Sequence, residues 1–174
     1  LVMDAGLSAE SDRGGSPYDR FRGRIMFPIR DRKGQVIAFG GRVLDDSSPK
    51  YLNSPETSTF HKGQEIYGLY EARQHTRKLE RILVVEGYMD VIALVQAGFE
   101  ASVAPLGTAI TESQLEMMWR ISPEPVIALD GDKAGLRAAM RLMDLALPLL
   151  EAGRGLRFCL FVVNSRGGGS TRQP

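Results

Sequence analysis

Two acidic signals stand at the ends of apolar runs. Glu86-Gly87 follows Ile82-Leu83-Val84-Val85, and Asp130-Gly131-Asp132 follows Val126-Ile127-Ala128-Leu129. Side chains alternate along a strand, so Asp130 and Asp132 share a side, and Gly131 permits a tight bend between them. Three carboxylates with no His or Cys cluster nearby suit a hard cation, Mg²⁺ or Mn²⁺ rather than Zn²⁺. Read alone, Asp-Gly-Asp has a plainer meaning: a turn in which Asp132 caps a helix starting at Lys133. The Glu-Gly at the end of an earlier strand favours the cation centre. Ligands of an open parallel sheet bind outside the carboxyl ends of its strands, which is where both signals fall.

The elements that must position these residues follow from pattern. From residue 81 short apolar runs alternate with helical stretches: strands at 81–85, 101–104, 126–129 and 156–163, helices at 88–97 and 133–147. Thr111 and Gln114 fit a capping box at the start of another helix. Leu136, Met140, Met143 and Leu147 fall on one helical face. Such alternation predicts a parallel sheet with helices on its faces. Residues 17–62 read differently. Ile25-Met26-Phe27 and Val36-Ile37-Ala38-Phe39 flank Asp31-Arg32-Lys33-Gly34, a β-hairpin signal, and Pro28 predicts an edge or bulged strand. Residues 45–62 read as a long loop, and residues 1–16 as a polar, poorly ordered lead-in.

The chain has 174 residues and a net charge of only +1, but the charge is unevenly laid out. Residues 17–62 carry nine Lys/Arg against five Asp/Glu, and residues 81–150 carry five against nine. A basic segment beside an acidic one is compatible with a polyanion lying next to a cation centre, although charge alone favours an ordinary solvated surface. No apolar run approaches the ~20 residues of a membrane helix. The one cysteine, Cys159, excludes an intrachain disulfide and a Cys-rich zinc site.

Longer strings carry a resemblance. Glu86-Gly87 and Asp130-Gly131-Asp132 look like the Toprim domain shared by topoisomerases, bacterial primases and some nucleases. Tyr18-Asp19-Arg20-Phe21-Arg22, Phe39-Gly40-Gly41-Arg42, Pro49-Lys50-Tyr51-Leu52-Asn53-Ser54-Pro55, Phe60-His61-Lys62-Gly63 and Val85-Glu86-Gly87-Tyr88-Met89-Asp90 resemble the catalytic core of DnaG-type bacterial DNA primase. The resemblance implies an α/β fold: a Toprim-like parallel sheet with flanking helices (81–163), preceded by a basic β-rich subdomain (17–80). It implies a cytoplasmic DNA-directed RNA polymerase that builds short primers from ribonucleoside triphosphates on single-stranded DNA at the replication fork. Glu86, Asp130 and Asp132 match metal-ligand positions. Arg42, Lys50, Asn53 and Lys62 match nucleotide-binding positions, and Arg20, Arg22, Tyr51, Tyr88 and Asp90 match further positions around the active centre. Without the resemblance, Arg20 and Arg22 read as a solvated strand face, Tyr51 equally as a ring that stacks on a base or a packed loop residue, and Asp90 as either reaching the same centre as Glu86 or capping the following helix. His61, with no evident partner, and Trp119 and the methionines read as structural.

The family's zinc belongs to an N-terminal module, and its contact with the replicative helicase to a C-terminal region; neither falls within this sequence. Relatives follow the fourth strand with an Asp-Pro-Asp motif. Here residues 164–174 read as a flexible tail unlike the family, and no Asp or Glu occurs after Glu151. The expectation is therefore weak primer synthesis by this chain. The competing readings are an inactive remnant that only binds nucleic acid, and a Toprim nuclease or topoisomerase fragment.

Overall fold

The computed structural model describes residues 2–11, 14–75, 81–107 and 109–161; the tail expected at 164–174 lies outside them. The chain runs β1 (Ser8–Ala9), β2 (Tyr18–Asp19), β3 (Arg24–Arg30), β4 (Val36–Val43), β5 (Tyr51–Asn53), β6 (Ile66–Tyr67) and α1 (Leu69–His75). It continues through β7 (Leu83–Val84), α2 (Tyr88–Gln96), β8 (Ser102–Pro105), α3 (Glu112–Trp119), β9 (Val126–Asp130), α4 (Lys133–Ala146) and β10 (Arg157–Phe161).

The strand–helix alternation builds a five-stranded sheet of order β10-β9-β7-β8-β6, in which β6 alone is antiparallel to its neighbour. Its side chains alternate between two layers, as a pleat requires. Val84, Val103, Ile127 and Leu129 pack with residues of α1, α3 and α4, while Val85, Ala104 and Ala128 pack with Val91 of α2. The capping box forms as predicted: Thr111 Oγ1 accepts from Gln114 N, and Gln114 Oε1 accepts from Thr111 N. The buried Gln114 also donates from Nε2 to the carbonyls of Lys62 and Glu65, at 2.9 and 2.8 Å.

The basic segment forms a separate three-stranded antiparallel sheet, β3-β4-β5. Pro28 lies on its edge strand, one residue before a register shift at Ile29/Arg30, so its missing N–H costs no ladder bond in the sheet's centre. Phe27, Ile29, Ala38 and Phe60 pack on Tyr88 and Leu106, which closes the seam between the two sheets. Burying each of the larger side chains is worth about 1.5–3 kcal/mol relative to leaving it in water.

Three sequence expectations are corrected. The lead-in is ordered in part: β1 pairs with β2, Arg20 N donates to Leu7 O, and the backbone of Gly6 lies against Pro55. The loop expected at 45–62 contains β5, which completes the three-stranded sheet. Met140 and Met143, read as structural, are exposed (62 and 41 %) on one face of α4 with Leu136 and, just past its end, Leu147, and Gly135, Ala139, Leu142 and Ala146 are buried instead. Small residues at three of those four positions let α4 approach β9 closely, which larger side chains would prevent. Trp119, by contrast, is core as expected, and its Nε1 donates to Gly155 O at 2.9 Å.

Candidate active site

The acidic signals meet at the carboxyl edge of the parallel sheet. β7 and β9 are neighbours in register Val84↔Ile127, which brings the residues just beyond them abreast. Asp130 N donates to Glu86 Oε1 at 3.2 Å, tying the two strand ends together. Asp132 adopts the plainer role as well. It is the N-cap of α4, and its Oδ1 accepts from Ala134 N and Gly135 N, both at 2.8 Å. Those N–H groups have no partner within the helix, so the cap is worth about 1 kcal/mol.

A groove of about 720 Å³ runs along the seam and collects most of the predicted residues. Arg20, Tyr51, Asn53 and Lys62 line it from the basic half, and Glu86, Tyr88 and Asp90 from the acidic half. Each wall residue has a visible cause. Arg20 donates from Nε and Nη2 to the carbonyl of Asn53, at 3.3 and 3.2 Å. Lys62 is held through its backbone: Glu56 Oε1 accepts from Lys62 N at 3.0 Å, and Gln114 takes its carbonyl. Glu56 Oε2 lies 2.9 Å from His61 Nδ1, so His61, read as partnerless, has a partner after all. The Lys62 N–H foremost, and then His61, hold the Glu56 carboxyl below the usual carboxylate range. Asp90 sits in the first turn of α2, where a negative charge complements the helix dipole.

Tyr88 occupies the middle of the seam. Its ring stacks on Phe27 at 5.2 Å between centroids and meets Tyr67 edge-on at 4.6 Å. Its hydroxyl donates to Asn53 Oδ1 at 2.6 Å. Burial, above all, holds the phenol well above its ordinary pKa, so it stays protonated at any working pH.

Arg22, Arg42, Lys50, Asp130 and Asp132 do not line the groove. Arg22 lies over the Tyr18 ring at 5.2 Å. Arg42 and Tyr51 are directly paired between β4 and β5, with the guanidinium 5.7 Å from the Tyr51 ring centroid. Arg42 Nε is buried with no hydrogen-bond partner among the described residues. Lys50 is exposed beside Tyr51. Sequence reasoning missed Glu56, Gly40 and Gly135. A Cβ at Gly40 would fall 2.6 Å from Tyr88 Cζ, and one at Gly135 would overlap the carbonyl oxygen of Asp130.

The paired strand-end signals on a parallel sheet, faced by a basic β-layer across a groove, are those of a Toprim-type core. Residues 80–159 match the family model described as Toprim domain, and residues 1–73 match that described as DNA primase catalytic core, N-terminal domain. The chain belongs to the DnaG-type bacterial DNA primases, within their catalytic core. It is 58% identical over 158 residues to a DNA primase of Pseudomonas putida, covering 91% of this chain and 24% of that one. A solved DNA primase domain from Pseudomonas aeruginosa superposes with TM-score 0.87 at 56% identity, over 92% of this chain and 50% of that one. The Escherichia coli primase catalytic core superposes with TM-score 0.87 at 52% identity, over 92% and 51%. The chain thus spans about half the length of these solved cores and about a quarter of the curated relative.

A Toprim domain implies a divalent cation. Glu86 and Asp130 supply exposed carboxylates at adjacent strand ends, and the donor set is oxygen only, which fits a hard cation in kind. The three carboxylates do not close around one point: among the described residues no group of three His, Cys, Asp or Glu is placed to hold an ion. Asp132 spends one of its oxygens on its helix. Asp132→Ala is therefore expected to cost about 1 kcal/mol of folding stability from the cap alone. Denaturant unfolding without and with Mg²⁺ separates this from ligation: a ligand role adds a loss of Mg²⁺-dependent stabilisation, which a pure cap leaves intact.

Proposed function

We propose that this chain carries the nucleotide- and template-binding part of primase chemistry: ribonucleotide transfer onto a primer 3′-hydroxyl, templated by single-stranded DNA. The observation that supports it best is the groove, where the cations Arg20 and Lys62 face the carboxylates of Glu86 and Asp90. In the reaction, the 3′-oxygen bonds to the α-phosphorus, the bond to the β-phosphate bridge breaks, pyrophosphate leaves and the hydroxyl proton passes to water. Lys62 contributes a point charge and Arg20 a planar fork for triphosphate oxygens. Asn53 offers amide donors, and the exposed Tyr51 ring a face on which a base can stack. Arg22, Arg42 and Lys50 flank the groove and extend the positive surface toward the template. Glu86 and Asp130, with the free oxygen of Asp132, would hold Mg²⁺ or Mn²⁺. Such an ion, when bound, lowers the hydroxyl pKa and neutralises charge developing on the phosphate oxygens. One of the solved relatives is described as a DnaG primase catalytic domain bound to single-stranded DNA, which agrees with a basic wall, Arg20 and Lys62, along the groove. The setting is bacterial replication in the cytoplasm.

A second reading, binding without turnover, is favoured by the lack of a three-ligand group among the described residues and of any carboxylate in residues 152–174. Both readings are tested by dinucleotide synthesis on a single-stranded template with Mg²⁺, then Mn²⁺. The chain is compared with a version carrying an Asp-Pro-Asp segment after Phe161. The expected outcome is weak synthesis by the chain and a rise of about 10²-fold or more with the acidic segment, on the scale of one lost electrostatic stabiliser elsewhere. Equal synthesis by both would make that segment dispensable. No product and no DNA binding by either would overturn the proposal.

A further inference from the structure

We infer that Tyr88 is a positioning residue that fixes which way the Asn53 amide faces, and so sets Asn53 as a donor toward an anionic ligand in the groove. The inference rests on the proposed nucleotide site and adds to it a mechanism for orienting one of its residues.

An asparagine side chain carries an acceptor oxygen and a donor nitrogen of nearly equal shape. In an open groove it turns to suit either a donor or an acceptor. Beside a triphosphate only the nitrogen is useful, because the oxygen would face like charge. Here the Tyr88 hydroxyl lies 2.6 Å from Asn53 Oδ1. A phenol donates its proton to an amide oxygen at this distance, so the pair has its natural sense with the oxygen toward Tyr88. The two Nδ2 hydrogens are then what Asn53 presents to the groove that it lines.

The Tyr88 ring itself has little freedom. Phe27 lies against its face, Tyr67 against its edge, and the bare backbone of Gly40 against its hydroxyl end, where any Cβ would collide. The Asn53 backbone is fixed too, by the two bonds from Arg20 to its carbonyl and by pairing of β5 with Gly40 of β4. Both ends of the Tyr88–Asn53 bond are therefore anchored. A bond between anchored groups selects an orientation before the ligand arrives, which spares the ligand that ordering cost.

The experiment measures ATP binding with Mg²⁺ by calorimetry for the unaltered chain, Tyr88→Phe, Asn53→Ala, the double variant and Lys62→Ala. Thermal unfolding and the ¹⁵N side-chain amide signals of Asn53 are followed in parallel. Tyr88→Phe keeps the ring and its packing, so its melting temperature should stay within a few degrees. ATP binding should weaken roughly 3–10-fold, the range of one ordinary hydrogen bond. The Asn53 amide signals should shift and broaden as the amide begins to flip. The double variant should bind no more weakly than Asn53→Ala, since Tyr88 acts through Asn53. Additive losses, or unchanged amide signals in Tyr88→Phe, would overturn the inference. If Lys62→Ala weakens binding while Tyr88→Phe does not, the nucleotide site stands and the positioning role falls. If the unaltered chain does not bind ATP, the site falls and takes the inference with it.

Discussion

Affinity for single-stranded DNA is expected to fall about 20- to 130-fold as salt rises from about 50 to about 200 mM. The estimate assumes that about three to five phosphates are neutralised, each contributing a log–log slope of roughly −0.7 on a single strand. Arg20 and Lys62 line the groove, and on the proposed function Arg22, Arg42 and Lys50 would add to them, which sets the upper end of this range. Fluorescence anisotropy of a labelled oligonucleotide at several salt concentrations gives the slope directly. Lys62→Ala should lower its magnitude by about 0.7, whereas a change far from the groove should leave it alone. A loss smaller than about threefold over the same range would mean that the basic half does not meet the phosphate backbone.

The second large effect concerns stability at the acidic edge. Gly135→Ala should destabilise the protein by about 3 kcal/mol or more, although helix propensity alone predicts a gain of about 1 kcal/mol. Gly135 is buried in the first turn of α4, and a Cβ there would overlap the Asp130 carbonyl oxygen. That atom belongs to the backbone of β9 and cannot rotate aside, so helix and strand must part. The loss should appear as a fall in melting temperature of about 6–12 °C. Because Asp130 N and Glu86 Oε1 are bonded at the same edge, any cation-dependent stabilisation should fall with it. A melting temperature unchanged or raised would show that α4 has room to move.

Much of this arrangement was legible because local patterns and tertiary demands agree. The strands at 81–85, 101–104 and 126–129, the capping box at Thr111 and Gln114 and the hairpin around Gly34 each rest on short-range rules that the fold obeys. The helix face was misread because Leu136, Met140, Met143 and Leu147 are the larger apolar residues, while close approach to β9 selects for the smallest. Periodicity identifies a face but not which face is buried when small residues form the contact. The partner of His61 was invisible for another reason. Glu56 reaches it only because the loop between them doubles back, with Thr57 N donating to Phe60 O at 3.0 Å. Among the site residues, the strings around Asn53, Lys62 and Glu86 predicted membership of one centre. The cap by Asp132 was legible from Asp-Gly-Asp before Lys133, but the strings could not show that Arg42 and Lys50 stand beside the groove rather than in it. Gly135 had a usable signal, five residues after Asp130 at the start of a helix, where glycine permits close helix–strand packing.

The cross-braces of the seam have a consequence for how a strand can enter. Asn53 is bonded to Tyr88, Gly63 accepts from Thr111 Oγ1 at 2.6 Å, and Gln114 grips the carbonyls on either side of that glycine. Prising the two sheets apart would break the Tyr88–Asn53 bond and bare Phe27, Phe60 and Ile29 to water. The walls therefore cannot act as jaws that swing open and shut on a passing strand. They form a fixed trough, into which, on the proposed function, nucleic acid would be laid lengthwise from the open side. Admission would then depend on the flexibility of the polymer rather than on a motion of the protein, so unpaired, pliable strands would enter with the least resistance.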